Sequence, residues 1–302
     1  MGNSDVRAKH GKGWTDSLLG VRLQTRVAAI ILTTGFFLIA LLPLYWIVVS
    51  STKNETELYT SFGLWFHGPF FLLNNMRSLF SYGAGVFGHW LLNTIFYTGV
   101  GGGGAMVISA LAGYALSRYS FGGKKVIFAS IIGSLLVPMT ALTIPIYILY
   151  SKIGFVNSAF GMIIPSLVSP IGVYLMRVYI DGSVPHEIID AGRVDGAGEL
   201  LIFTRIASPL MVPGAVTVLL LSVVATWNNY FLPYIIFSKE ALYPLTVGLS
   251  LWASQATAGG SAEQLYPLVV TGGVVGLAPP MILFAVLQRY WRVGLLSGAL
   301  SS

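Results

Sequence analysis

The sequence predicts an all-α membrane protein whose chain crosses the bilayer six times, and three observations predict it. First, 55% of the 302 residues are hydrophobic and only 9% are charged, with a mean hydropathy of +0.77, whereas soluble domains carry about 25% charged residues. Second, apolar stretches recur that are long enough to cross a hydrocarbon core of about 30 Å, which takes roughly 20 helical residues. Third, all 11 acidic residues lie outside these stretches.

Six apolar segments account for the predicted spans. The first follows a basic N-terminal segment, residues 1–26, and it is too long for the core of an export signal and lacks a small-residue cleavage site. The segments lie at about Val27–Ser50, Trp90–Ser117, Val126–Tyr150, Ala159–Ile180, Leu210–Phe237 and Leu265–Gln288. We therefore predict a six-span domain over residues 27–302.

The basic residues divide unevenly between the two sides that six spans define. Of the 17 Lys and Arg residues, 13 fall on the side of the two termini, and the opposite side holds only Lys53, Arg77, Lys152 and Lys239. Because an excess of positive charge stays in the cytoplasm, both termini are predicted to be cytoplasmic. The net charge of +6 is then explained by topology and by anionic membrane lipid, and nucleic acid is not expected as a partner.

The composition excludes several kinds of chemistry. The chain has no cysteine, which removes disulfides, thiolate nucleophiles and cysteine metal sites. The four histidines, at His10, His67, His89 and His186, are too scattered for a metal site, and no paired acids lie within the spans for acid–base catalysis. We assign no catalytic and no metal-binding residue.

The source of energy is also constrained by what the spans lack. No carboxylate lies in a predicted span to relay protons, although sodium could be held by backbone carbonyls. No stretch fits the phosphate-binding loop of an ATPase, Gly-x-x-x-x-Gly-Lys-Ser/Thr. The chain is therefore expected to depend on a separate ATPase.

Glycines cluster in the second predicted span. Gly99, Gly101 and Gly104 have the spacing of a dinucleotide-binding loop, but they lie inside an apolar span rather than after a strand, so the match is coincidental. A second helix is instead expected to approach this span closely at small residues such as Gly99, Gly103, Ala110 and Gly113.

The loop between the fourth and fifth spans, residues 181–209, gathers five of the 11 acidic residues. Ser183 can cap a short amphipathic helix with Pro185 in its first turn, and Gly196 and Gly198 interrupt it before a second helix runs toward Pro209. Such a helix has two possible roles, which its residues favour about equally. It can lie among the lipid headgroups, or it can dock on a partner protein.

This loop resembles the EAA signature of ATP-binding-cassette importer permeases, which reads Glu-Ala-Ala, three residues, Gly, nine residues, Ile-x-Leu-Pro. It stands here as Asp190-Ala191-Gly192, then Gly196, then Ile206-Ala207-Ser208-Pro209. The resemblance implies a coupling helix that sits on an ATPase subunit, with Asp190 facing a basic residue there and Gly196 permitting a sharp turn. The ATPase-coupling residues that it implies are Glu187, Asp190, Ala191, Gly192, Asp195, Gly196, Ile206 and Pro209.

The resemblance extends over most of the chain and narrows to carbohydrate importers, specifically to the maltose-type inner permease subunit. It is carried by Pro138 and Pro145 with Gly154 and Asn157, and by the phrases Trp227–Pro233, Tyr243–Leu249 and Gln288–Ala299. It implies a type I ABC importer permease fold in a bacterial cytoplasmic membrane. The implied partners are a homologous second permease subunit, two ATPase subunits that bind ATP and Mg, an extracellular or periplasmic sugar-binding protein and an oligosaccharide; no cofactor is expected in this chain.

Two further groups of residues are candidates for contact with the cargo or with its binding protein. The amides of Asn228 and Asn229 favour interhelical hydrogen bonds, with contact to sugar as the alternative, and the substrate-pathway candidates are Trp227, Asn228, Asn229 and Tyr230. The outer loop, residues 250–264, resembles the scoop that enters the binding protein's sugar cleft, and an ordinary flexible loop is the alternative. Its contact candidates are Trp252, Ser254, Gln255, Gly259 and Gly260.

The expected function is that of a non-catalytic pore subunit for ATP-driven oligosaccharide import by alternating access. An ion-driven secondary sugar transporter is the main alternative, and a membrane enzyme is a third. Acidic cargo such as alginate fragments is conceivable, because the outer face has a few basic residues, although acidic residues there cancel their charge.

Overall fold

A computed structural model describes the backbone of residues 5–257 and 265–299, and the side chains of residues 25–257 and 265–290. The described residues contain helices and no strand, as predicted. The helices are α1 (Asp5–Ser51), α2 (Glu55–Thr60), α3 (Leu72–Ser81), α4 (Val86–Arg118), α5 (Lys124–Ser134), α6 (Met139–Ile153), α7 (Ala159–Ser166), α8 (Pro170–Ser183), α9 (His186–Val194), α10 (Glu199–Leu201), α11 (Ser208–Trp227), α12 (Phe231–Ile236), α13 (Leu245–Thr257) and α14 (Leu265–Ala299).

Shorter helical turns join some of these elements. Two 3₁₀ turns lie at Tyr82–Gly85 and Glu240–Leu242. A π-helical turn, Ile202–Ala207, connects α10 to α11, so that residues 199–227 form one continuous helical segment. The second helix that the sequence predicts in the 181–209 loop is therefore the start of the fifth span.

Five helical segments within the described residues are long and apolar enough to cross a membrane, at Thr25–Ser51, Leu72–Arg118, Ala159–Ser183, Glu199–Trp227 and Leu265–Tyr290. A sixth candidate is the pair α5 and α6, which is bent by 103°. The bend lies where Pro138, which has no amide hydrogen to donate, precedes the first residue of α6. The six predicted spans thus correspond to these segments, with the third one broken.

The predicted end of the fifth span at Phe237 is wrong. Helix α11 ends at Trp227, and Asn228 takes a non-helical conformation as its C-terminal cap. The short helix α12 follows after Tyr230. The predicted span was too long because residues 231–237 are also apolar, and hydropathy does not distinguish one helix from two helices separated by a break.

The chain divides into two units, Met1–Leu72 and Leu73–Ser302. In the first unit, the apolar side chains of Thr25–Ser51 are mostly exposed, as a lipid-facing helix requires. Asn54 and Glu57 form a capping box at the start of α2. Lys53 is buried, and its Nζ donates a hydrogen bond to the carbonyl oxygen of Phe62 at 2.7 Å.

Helix α4 is the central helix of the second unit and contacts α7, α8, α11 and α13. The close approach of α8 to α4 depends on small residues of α4. A Cβ atom on Gly113, for example, would lie 2.6 Å from Cβ of Met176 in α8. The predicted packing role is confirmed for Gly113 and for the buried Ala110. For Gly99 and Gly103 the close approach is not found within this chain, since an added Cβ atom there would meet no described residue within 4 Å.

Candidate functional site

Helix α9 occupies the 181–209 loop and is the predicted short amphipathic helix. It starts two residues later than predicted, because Ser183 ends α8 and Pro185 holds an extended conformation at the N-cap. Ile189 (1% exposed) and Gly192 are buried on its inner face. Its exposed face is formed by Glu187, Ile188, Asp190, Ala191 and Val194.

The turn that ends α9 has the hydrogen bonds of a Schellman motif. The amide of Gly196 donates to the carbonyl of Arg193 at 3.0 Å, and the amide of Ala197 donates to the carbonyl of Gly192 at 3.0 Å. Asp195 is the exposed C-cap residue, and Gly196 follows it with φ +79°. A Cβ atom on Gly196 would meet nothing within 4 Å. Glycine is therefore favoured here by backbone conformation and not by lack of space.

Helix α9 packs its inner face against the π-helical turn. A Cβ atom on Gly192 would lie 2.8 Å from Ile206 Cδ1 and 3.4 Å from Ile202 Cγ1. Little space is therefore left for a side chain at position 192, where the EAA signature has its second alanine. Pro209 lies in the first turn of α11 and is exposed.

Arg193 connects α9 to the segment that follows the turn. Its guanidinium contacts Asp190 Oδ1 at 3.0 Å and forms two hydrogen bonds with Glu199, from Nε to Oε1 at 2.7 Å and from Nη2 to Oε2 at 3.3 Å. The bonds to Glu199 hold the pKa of Arg193 above its ordinary value. The Tyr119 hydroxyl donates to Glu199 Oε2 at 2.7 Å. The pKa of Tyr119 is raised to about 12, mainly by burial and next by its hydrogen bond to Glu199.

Arg118, the last residue of α4, lies beside the N-terminal end of α9. This side chain is 8% exposed, and its Nη2 donates to the carbonyls of Ile180, at 2.6 Å, and Val184. Its Nη1 contacts His186 Nε2. In the sequence, Arg118 is only one of the 13 positive charges that predict the topology, because a lone arginine at a span end carries no other signal.

A cavity of about 430 Å³ lies where α11 ends. Of the four substrate-pathway candidates, Asn228, Asn229 and Tyr230 line it. Trp227 does not, because it is buried in an apolar cluster with Trp90 and Leu245. The other lining residues are Met139, Pro165, Ser166, Val168, Ser169, Ser222, Ala225, Thr226 and Phe231.

Four residues with hydroxyl groups, from three helical regions, line this cavity, and sequence reasoning missed them: Ser166, Ser169, Ser222 and Thr226. Serines within apolar spans usually bond to their own helix, as Ser166 does with the Met162 carbonyl at 2.8 Å. The Ser222 hydroxyl, in contrast, is buried and has no hydrogen-bond partner among the described residues. Only the folding together of α7, α8 and α11 brings these hydroxyls to one place.

Among the described residues, the side chains of the two asparagines do not form the interhelical hydrogen bonds that the sequence favoured. Asn228 Nδ2 donates to the Val224 carbonyl of its own helix at 3.0 Å. Asn229 accepts a bond from the Thr246 hydroxyl at 2.8 Å through its main-chain carbonyl. The ring of Tyr230 is stacked on Tyr234, with centroids 5.3 Å apart. The break in the helix therefore presents amides and an aromatic ring beside the cavity.

The predicted outer loop is wrong at its start, because α13 continues to Thr257. Trp252 is only 3% exposed, and its ring centroid lies 4.7 Å from that of Trp90. It therefore stabilises the apolar core and is not available for contact with a binding protein. Ser254 and Gln255 are exposed on α13, whereas Gly259 and Gly260 lie outside the described residues.

Comparison with known proteins identifies the family. Residues 105–292 match the family described as the binding-protein-dependent transport system inner membrane component. An arabinooligosaccharides transport system permease protein, AraQ of Halalkalibacterium halodurans, is 31% identical over 92% of this chain and 98% of its own length. The melibiose/raffinose/stachyose import permease protein MelC of Bacillus subtilis is 28% identical over 92% and 96%.

A solved structure shares the fold. It belongs to a bacterial ABC transporter involved in the import of the acidic polysaccharide alginate, and one of its chains matches with a TM-score of 0.74 and 24% identity over 92% of this chain and 98% of that chain. The expected permease fold is confirmed by this match together with the helical architecture. The chain belongs to the family of binding-protein-dependent transport system inner membrane components.

Proposed function

We propose that this chain is a pore-forming subunit of an ATP-driven importer for oligosaccharides, in which α9 couples a separate ATPase to the spans. The proposal rests on one observation: two features occur together in the second unit of the chain, Leu73–Ser302. One is a short helix that is buried on its inner face and exposed on its outer face, and the other is a cavity lined in part by amides and hydroxyl-bearing residues at the end of the adjoining span.

The exposed face of α9 favours docking on a protein over insertion among lipid headgroups. Helices that lie in anionic headgroups carry basic residues on their polar face. Here that face carries Glu187 and Asp190, and the one basic residue of its last turn, Arg193, is bonded to acidic side chains. Val194, at 87% exposure, adds an apolar group next to these charges, as expected for a protein interface with a polar rim.

The cavity suits a neutral sugar. Amides and hydroxyls can bond sugar hydroxyls, and aromatic rings such as Tyr230 offer an apolar face for the ring of a sugar. None of the lining residues is charged, so the carboxylates of an acidic sugar would lose water here without a cation from this chain to replace it. The names of AraQ and MelC refer to neutral oligosaccharides, which agrees with this choice. We therefore propose neutral oligosaccharides as the cargo in preference to alginate fragments.

The experiment is reconstitution of the chain in liposomes with its second permease subunit, its ATPase and its binding protein. We expect sugar uptake that requires ATP and hydrolysis that rises when the loaded binding protein is added. Uptake driven by an ion gradient, with this chain alone in the membrane, would instead identify a secondary transporter. Uptake of neutral and uronic acid oligosaccharides is compared in the same liposomes, and preference for the uronic acids would contradict the proposed cargo.

A further inference from the structure

Three consecutive residues at the end of α4, Ser117 to Tyr119, contact the elements on both sides of α9, and we call them the α4 clasp. Ser117 donates a hydrogen bond to Asp181 in the last turn of α8. Arg118 contacts the α8–α9 connection, and Tyr119 contacts the segment after the Gly196 turn. The clasp therefore holds the coupling helix near its beginning and beyond its end.

Arg118 fixes the beginning of α9. It donates to the carbonyls of Ile180 and Val184, which lie at the C-terminal end of α8, where a cation is favoured by the helix dipole. Because arginine only donates hydrogen bonds, the contact with His186 uses Nε2 of the imidazole as the acceptor. His186 is the first residue of α9, so the buried guanidinium joins α4, α8 and α9 at one point.

Tyr119 is connected to the other end of α9 through hydrogen bonds that Glu199 accepts. Its hydroxyl bonds to Glu199, and Glu199 accepts two bonds from Arg193 in the last turn of α9. Arg193 also contacts Asp190, one turn earlier. A movement of α9 relative to α4 would therefore have to break bonds near both of its ends.

Helix α4 extends from the clasp to the cavity. A Cβ atom on Gly101 would lie 2.6 Å from Ser166 Cβ and 3.7 Å from Thr226 Cγ2, and both of these residues line the cavity. Gly101 and Arg118 belong to the same continuous helix, and 17 residues of helix span about 25 Å. A rigid element thus runs from the two ends of α9 to the cavity wall.

We propose that Arg118 and Tyr119 are positioning residues for coupling, which join α9 to α4 so that displacement of α9 by the ATPase moves the cavity wall at Ser166 and Thr226. The inference rests on the proposed function, since it needs α9 to be the ATPase contact. It adds a second route beside the direct connection from α9 through the π-helical turn into α11. Both residues lie outside the EAA motif.

The test uses the whole reconstituted complex and measures ATP hydrolysed per sugar imported. His186→Leu removes the acceptor of Arg118 at an exposed position while leaving the two carbonyl bonds in place, and His186→Gln restores an acceptor. Tyr119→Phe removes one hydroxyl, and Tyr174→Phe is the matched control because its ring lies on α8 outside the clasp. Arg118→Lys and Arg118→Met are added, with thermal unfolding to verify that each complex is folded.

We expect the ATP-to-sugar ratio to rise at least threefold in His186→Leu and Tyr119→Phe, and further in the double variant. His186→Gln and Tyr174→Phe should remain within 1.5-fold of the unaltered chain, and ATPase association should not change, because the exposed face of α9 is intact. An unchanged ratio in both single variants and in their combination would overturn the inference. Loss of ATPase association in these variants would also overturn it, since the clasp would then only support the docking surface.

The failure of the proposed function has a different signature. Val194→Asp alters the exposed face of α9 and leaves the clasp untouched. If Val194→Asp retains normal ATPase association and normal uptake, α9 is not the coupling helix, and both proposals fail together. If Val194→Asp uncouples the complex and the clasp variants do not, only the inference about the clasp fails.

Discussion

Gly192 of α9 and Ile206 of the π-helical turn lie so close together that a Cβ atom on Gly192 would stand 2.8 Å from Ile206 Cδ1. The nearest atom is the end of a flexible side chain, so a methyl group can be accommodated if Ile206 moves by a few tenths of an ångström. A larger side chain would push α9 away from the spans. The distance between α9 and the start of the fifth span therefore depends on this glycine.

The first prediction concerns the size of the residue at position 192. Gly192→Ala should lower the free energy of unfolding by about 1 kcal/mol or less, and Gly192→Leu by about 1–3 kcal/mol or more, because overpacking a filled site forces strain. Thermal unfolding of the purified complex measures both changes. Gly198→Ala is the control, since Gly198 has an ordinary φ of −70° and open space at its Cβ position. Equal effects at positions 192 and 198 would contradict the packing argument.

A second prediction separates backbone conformation from space at Gly196. Its φ of +79° lies in the left-handed region, which costs most residues about 1–2 kcal/mol and asparagine less. Gly196→Asn should therefore couple nearly normally, whereas Gly196→Val should weaken ATPase association and uptake. Binding of the ATPase to immobilised permease measures the difference. If the two variants behave alike, the positive φ does not determine the position of α9.

The third prediction concerns Asp190, which is 62% exposed and paired with Arg193. Because exposed pairs contribute about 0–1 kcal/mol and Arg193 keeps its bonds to Glu199, Asp190→Asn should leave the thermal stability nearly unchanged. Asp190→Lys should abolish uptake by placing like charges at the proposed ATPase contact. A reciprocal charge reversal on the ATPase should restore part of the uptake. Normal uptake with Asp190→Lys would remove Asp190 from the proposed contact.

The fourth prediction concerns the Ser222 hydroxyl beside the cavity. A buried hydroxyl without a partner costs about 1–3 kcal/mol, so Ser222→Ala should leave the free energy of unfolding unchanged or raise it by about 1 kcal/mol. Ser166→Ala is the comparison, because it removes a hydroxyl that is already bonded within its own helix. A marked loss of stability in Ser222→Ala would show that the hydroxyl has a structural partner.

The fifth prediction tests the orientation of the chain, which follows only from the distribution of basic residues. Single cysteines replacing Lys125 and Val194 should react with an impermeant thiol reagent from the cytoplasmic side. A cysteine replacing Lys152 or Lys239 should react from the outside. The chain lacks native cysteine, so the unaltered protein is the control. Labelling of positions 125 and 152 from the same side would contradict the six-span topology.

The spans and the α9 turn were predictable from sequence because both follow from local chemistry. Apolar length determines a span. The positive φ of Gly196 follows from glycine at the end of a short amphipathic helix. These features need no knowledge of what lies across the fold.

The cavity and the buried Trp252 were not predictable for the opposite reason. Ser166, Ser222 and Thr226 are small polar residues in apolar spans, and nothing in their spacing shows that they line one cavity. Trp252 stands in a segment whose Ala, Ser and Gln content is typical of a loop, yet its ring packs against Trp90, which lies more than 150 positions earlier. Such contacts are tertiary, and local patterns do not report them.

The π-helical turn Ile202–Ala207 has a consequence for how this region tolerates changes in chain length. In an ordinary α-helix, loss of one residue rotates everything beyond it by about 100°, which would turn the cavity-lining side of α11 away from the cavity. A π turn is one residue longer than the α-helical turn it replaces. Deletion of one exposed residue there, such as Thr204, would convert the turn to α-helix and leave the residues of α11 facing as before. Loss of one residue should therefore disturb the facing of α11 less at this turn than elsewhere in the fifth span.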